Sequence, residues 1–399
     1  MTFLVQHGYG KSDKIERALD ECGASGVIYA PRSETPDSLA AYIDKLSRKP
    51  RCAIQLVDPQ FYATTVPNGN MGKLIEYPYF RPDLSVRNFR APRDITQMVG
   101  ATLEFQRRLA VTHLCSPTIA IDAFNDRWSS IALNLASESI GFAAVMGDGR
   151  PLLVSLLIHE QALRSQEQLE EFLDELTDLE CHGFYIVIRH EGGGFSQLLD
   201  PASVNGLLYA IHVLSEVNEF EVYVGYSDFI SPLLHAAGAT ATASGWNNGL
   251  RRFSFARFEP QAGGRRAKPR YSSRPLLNFI PITPEFDAIA ALRLTNAVIS
   301  GTSYDRGFRS GTPSMLGWDD TTSALHHWQV LVRLISDTIA AGDTVGRLAH
   351  IEARISEAIE LYRRLDRARI PFEVAAGPGH LSAWGAGLRE FRAQVEREG

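Results

Sequence analysis

Short apolar runs that stop abruptly at ionisable side chains recur along this chain, most densely between positions 153 and 246. Residues 153–158 lead into His159-Glu160, and 184–188 into Arg189-His190-Glu191. Residues 222–224 lead into Gly225-Tyr226-Ser227-Asp228, and 240–243 into Ser244-Gly245-Trp246. Nearer the N-terminus, His7, Arg32, Asp58 and the group Asp122, Asp126 and Arg127 follow similar runs. Carboxyl groups held in different environments can divide the work of acid, base and nucleophile. Asp58, Asp122, Glu160 and Glu191 come from four separate runs and so can converge on one substrate. Asp122 and Glu191 are read as the acid–base pair, with Glu160 and Asp58 as alternates. His190, Arg189 and Arg127 would orient the substrate or neutralise its charge.

The remaining run-end residues suit binding. Gly225-Tyr226-Ser227 and Gly245-Trp246 are turns whose backbone N–H groups can face a phosphate, and Arg251 and Arg252 stand just beyond. The plainer alternative is that these glycines only make tight turns. Trp246 can stack on a ring or plug a core. With His7, Arg32, Asp126, Arg127 and Arg189, these residues form the expected substrate-binding set. His159-Glu160 and His190-Glu191 repeat one dipeptide, and together they offer ligands for a divalent metal. Adjacent strand residues point to opposite faces, however, so only one of each pair looks inward. No metal site is assigned, and the cofactor is left open.

Several chemistries lack their residues. No lysine stands at a run end apart from Lys11, beyond Gly10, so Schiff-base chemistry has no nucleophile. There is no H-E-x-x-H and no C-x-x-x-C-x-x-C. Cys22, Cys52, Cys115 and Cys181 are scattered, form no C-x-x-C and suit a reducing cytoplasm. The N-terminus does not read as a signal peptide, and no apolar segment approaches the ~20 residues of a membrane span. A formal net charge of −6 gives no global reason to expect nucleic-acid or membrane binding.

Continuous β-branched runs of this length read as strands buried on both faces, and alternation with helical pattern implies a parallel sheet. The strands fall at 3–5, 27–30, 52–57, 118–121, 153–158, 184–188, 222–224 and 240–243, with a further short extended segment at 142–146. Eight strands in roughly 245 residues match an α/β (β/α)8 TIM-type barrel, which typically needs about 250. A doubly wound open sheet is the runner-up. It needs a glycine fingerprint that Gly8-Tyr9-Gly10-Lys11 is too short to supply.

Three regions follow: a barrel over 1–250, a basic hairpin or loop over 251–280, and a helical region over 281–399. The barrel has a long aromatic loop at 59–92, read as a lid over the site or as a packed insertion. In the basic stretch, Arg265, Arg266, Lys268, Arg270 and Arg274 accompany Arg251, Arg252 and Arg257 against the single acid Glu259. The alternation of Phe253, Phe255 and Phe258 predicts a strand there. C-terminal helices are predicted at 285–300, 321–341, 345–368 and 380–397, either closing the barrel or meeting a partner or a second copy. The leading expectation is a barrel enzyme that cleaves or transfers a glycosidic bond of a nucleotide-like or nucleic-acid substrate. The alternatives are a scaffold binding nucleic acid or protein through 251–274, and a metal-dependent hydrolase or isomerase.

Overall fold

The computed structural model describes residues 2–191, 198–259, 268–309 and 311–398. Its main sheet contains β1 (Thr2–Gln6), β2 (Gly26–Tyr29), β3 (Ile54–Val57), β4 (Leu114–Cys115), β5 (Ala120–Ile121), β6 (Leu152–His159), β7 (Gly183–Arg189), β8 (Glu221–Gly225) and β9 (Ala241–Ser244). The strands run in the order β3-β2-β1-β9-β8-β7-β6-β4, with β5 also on β6. All these pairings are parallel. β4 and β5 are successive halves of one strand, so eight strand positions surround the core. Between β3 and β4 the ring is tied by Thr112 N–H donating to Gln55 O (2.9 Å) and Gln55 N–H to Thr112 Oγ1 (2.8 Å). The protein is a near-closed (β/α)8 barrel of TIM type.

The apolar runs explain this geometry. Every residue of β6 is buried, as a parallel strand covered on both faces requires. The covering helices are amphipathic. Gln166–Thr177 buries Leu169, Phe172, Leu173 and Leu176 and turns its acids outward. Thr35, Asp126 and Asp200 each cap a helix by accepting a hydrogen bond from the backbone three residues on, a contact typically worth ~1 kcal/mol.

Four details depart from expectation. Residues 142–146 are not extended but end one continuous helix, Arg127–Met146. Uninterrupted, that helix is long and apolar enough by length and composition to cross a membrane. It packs beside the Pro92–Arg107 helix. The fourth strand starts earlier than position 118 and is split. Phe253 makes a single bridge to Arg189, and Phe255–Phe258 is a 3-10 turn rather than a strand. Its rings turn inward to meet one another (Phe253–Phe255 5.9 Å, Phe255–Phe258 6.1 Å), and this clustering produced the alternation in sequence. Finally, the predicted 285–300 helix is broken into Asp287–Ala291 and Thr295–Val298.

An antiparallel hairpin, β10 (Arg270–Ser273) with β11 (Asn278–Pro281), follows the barrel. The Gly263-Gly264 centre of the expected basic hairpin or loop lies outside the described residues. Helices Asp320–Ala340, Thr344–Arg367 and Gly379–Glu398 pack on the barrel and share its core. Fully buried Trp328 donates from Nε1 to Ser244 O at the end of β9 (3.0 Å). Cys22 Sγ meets Leu325 O (3.3 Å).

Candidate active site at the barrel mouth

The carboxyl ends of the strands carry two layers of polar groups. The inner layer is built around Asp58, the residue after β3, which is 1% exposed. Its Oδ2 accepts from the hydroxyls of Tyr62 (2.9 Å), Tyr185 (3.4 Å) and Tyr226 (3.5 Å), and its Oδ1 from Gln60 N–H (3.0 Å). Burial pushes the Asp58 carboxyl up to about 6, against the pull of the Gln60 N–H, Tyr62 and the Arg257 charge. Tyr185 reaches it from the middle of β7 by passing Gly225. A Cβ at Gly225 would stand 2.5 Å from the Tyr185 hydroxyl. This close approach, not phosphate binding, accounts for that glycine.

Arg257 comes from the 3-10 turn and lies over the rings of Tyr226 (4.9 Å) and Phe253 (5.3 Å). Its Nε and Nη1 are sealed from solvent and, among the described residues, have no hydrogen-bond partner of good geometry, while the side chain also meets the Tyr226 hydroxyl. The aromatic insertion closes this layer. Phe61, Tyr62, Tyr77, Tyr79 and Phe80 are buried, and Tyr79 donates to Pro59 O (2.9 Å). Arg32 holds the insertion down by donating to Asn70 O (2.9 Å). The space between Asp58, Ser155, Tyr185 and Phe61 leaves no room for a water molecule. Residues 59–92 are therefore a packed insertion that also covers the site.

The outer layer forms the rim. Asp122, 55% exposed, is ion-paired with Arg189, whose guanidinium lies over Phe255 (4.9 Å). The two His-Glu dipeptides pair crosswise: His159 Nε2 with Glu191 Oε1 (2.9 Å), and His190 Nδ1 with Glu160 Oε2 (2.6 Å). Glu160 Oε1 also accepts from Glu191 N–H (2.9 Å), and Arg252 donates to Glu191 O (2.9 Å). Burial raises the Glu160 carboxyl, but His190, the Glu191 N–H and the Arg252 charge bring it below its ordinary value. Burial lowers both His159 and His190, with the Arg189 charge lowering His159 further. Among the described residues these histidines and acids do not gather around one point as a metal requires.

The other expected binding residues are placed as follows. His7 is buried, with Nδ1 accepting from Ala30 N–H (3.3 Å) and Nε2 3.6 Å from Glu34. Asp126 caps the Arg127–Met146 helix by accepting from Ser129 N–H (2.8 Å), and Arg127 is exposed at its start. The phosphate-type loops are already engaged. Ser227 N–H donates to Ala243 O (2.8 Å), Gly245 N–H to Leu250 O (3.0 Å) and Tyr226 N–H to Gln6 Oε1 (3.3 Å). Gly245 is required because a Cβ there would lie 2.2 Å from Leu250 Cβ. Trp246 packs against His7 and Trp328 (both 6.4 Å) and donates to Tyr9 O (3.1 Å), the core-plug alternative.

Sequence reasoning missed the flank of the mouth. His327, from the Asp320–Ala340 helix, lies 3.1 Å from Asp228, and burial lowers it to about 4. Arg251 adds its charge to this cluster and donates to Gly245 O (2.9 Å). The adjacent His326-His327 on a buried stripe was the available signal. The basic segment is thus largely consumed internally. Arg270 pairs with Glu373 (2.7 Å) and Arg274 with Asp337 (3.1 Å); Lys268 is exposed, and Arg265 and Arg266 lie outside the described residues.

No family model matches this sequence, and no curated protein matches it. Among solved structures, the chain is similar to dihydrodipicolinate synthase from Oceanobacillus iheyensis. Identity is 9%, the match covers 99% of this chain and 96% of that one, and the TM-score is 0.25. So loose a likeness carries no chemistry, and the barrel rests on its own strand pairing.

Proposed function

We propose that the protein is a barrel enzyme that cleaves or transfers a glycosidic bond, with Asp58 as the proton donor. Glu160, held ionised by His190, Glu191 N–H and Arg252, is the partner carboxylate. The observation that carries this reading is the split between two carboxyl groups at one mouth, Asp58 raised to about 6 and Glu160 lowered. It revises the sequence-based choice. Asp122 and Glu191 are 55% and 65% exposed and paired with Arg189 and His159, where they would position rather than react, whereas Glu160 is only 13% exposed. The unpartnered donors of Arg257 suit an anionic substrate group, in keeping with a nucleotide-like substrate. Entry requires the 59–92 insertion to withdraw.

The test is turnover of a panel of nucleosides, nucleotides and aryl glycosides, read as released base or sugar. Because the donor must be protonated, kcat should fall as pH rises through about 6. Asp58→Asn should cost roughly 100-fold or more. Turnover of no glycosidic substrate, or full activity in Asp58→Asn, removes the proposal.

A further inference from the structure

The end of the barrel opposite the mouth holds a second group of chemically capable side chains. His113 precedes β4, His182 precedes β7 and Glu221 opens β8, so all three stand at strand amino ends. His182 Nε2 lies 3.2 Å from Glu221 Oε2 and His113 Nε2 lies 3.7 Å from it. One ligand atom from each residue falls within 4.8 Å of the other two. A tetrahedral zinc ion with bonds of 2.0–2.1 Å sets its ligand atoms about 3.3 Å apart. The two separations from Glu221 lie within a few tenths of an ångström of that value and the two histidines are within 4.8 Å of each other, on backbones fixed by strand pairing, with Gly183 in register with Glu221.

The His113 ring is also held in place from behind. Thr112 Oγ1 accepts from Gln55 N–H and has one proton, which goes to Gln55 O (3.1 Å). His113 Nδ1 lies 2.8 Å from the same oxygen, which fixes the orientation of its ring. With the ring held there, His113 Nε2 faces the cluster, the arrangement by which an outer hydrogen bond orients a metal-ligating imidazole. Tyr223 has one proton too, and its short contact is to Glu221 Oε2 (2.6 Å) rather than to His113 Nε2 (3.3 Å).

We propose that His113, His182 and Glu221 bind a divalent transition-metal ion of the zinc class, with the fourth position open to solvent. Two imidazoles and one carboxylate match that class and do not match calcium or magnesium, which take oxygen ligands. The ion ties together the starts of three strands at the end of the barrel where a fold of this type carries stability rather than catalysis.

The experiment is calorimetric titration of chelator-stripped protein with Zn2+ alone, alongside visible spectroscopy with Co2+. The wild-type chain should take up one equivalent, raise its melting temperature and show the bands of four-coordinate Co2+. His182→Ala, at a half-exposed position, and Glu221→Gln should each weaken Zn2+ binding roughly 100-fold or more. His159→Ala, at the mouth, should bind as the wild type does. No uptake by the wild-type chain overturns the proposal, as does undiminished uptake by His182→Ala or loss of uptake in His159→Ala.

Discussion

At the mouth, Asp58 is sealed beneath Phe61 and Tyr62, with three phenol hydroxyls on its carboxyl and a guanidinium nearby. At the amino end, His182 and Glu221 stand 43% and 38% exposed with no arginine or lysine among their described partners. The mouth buries its carboxyl and suppresses its ionisation; the amino end leaves His182 and Glu221 half-exposed beside a His113 imidazole that burial lowers. A buried acid is tuned by its neighbours whatever the solvent contains.

The largest effect should come from Asp58. Its folded value of about 6 lies above the unfolded carboxyl, so the native state keeps a proton that the unfolded chain releases. The stabilisation is fully present below about pH 4 and is lost as pH rises through 6, a swing on the order of 3 kcal/mol. Asp58→Asn should therefore gain about 3 kcal/mol relative to the wild type between pH 4 and pH 8 in urea unfolding. A difference that stays flat across that range would mean that Asp58 is not raised. Tyr185→Phe removes one hydroxyl from Asp58 and should cost about 1 kcal/mol at pH 8, where the carboxylate needs the donor. At the other end, His182→Ala without added metal should change stability by no more than about 0.5 kcal/mol, because nothing folded depends on it until the ion binds. A cost of several kcal/mol would make the two ends alike. A similarly small effect belongs to Arg274→Ala, whose half-exposed pair with Asp337 is worth under about 1 kcal/mol.

The barrel was legible because parallel strands buried on both faces leave continuous apolar runs, and eight such runs need no partner to be recognised. The mouth residues were legible as a set for the same reason, since each follows a run. Their division of labour was not. Asp58 is raised by burial beneath an insertion whose packing no periodicity announces, and Tyr185 and Tyr226 reach it from 127 and 168 residues away. Crosswise pairing of the His-Glu dipeptides depends on β6–β7 register, with His159 opposite Arg189. His113, His182 and Glu221 escaped notice because they precede strands and share no spacing, so only closure of the barrel brings them together.

β1 pairs with β9 along four residues, Thr2 with Ala241 through Val5 with Ser244. During synthesis at about 5–20 residues per second, β1 and β2 emerge roughly 10–50 seconds before their closing neighbour exists. Through that interval one side of β1 presents unpaired backbone N–H and C=O groups flanked by Phe3, Leu4 and Val5, a template for another nascent chain. The Trp328 that later seals this seam arrives later still. Yield of native protein should accordingly depend on how fast the ribosome delivers the second half, and slower translation of residues 30–240 should lower it.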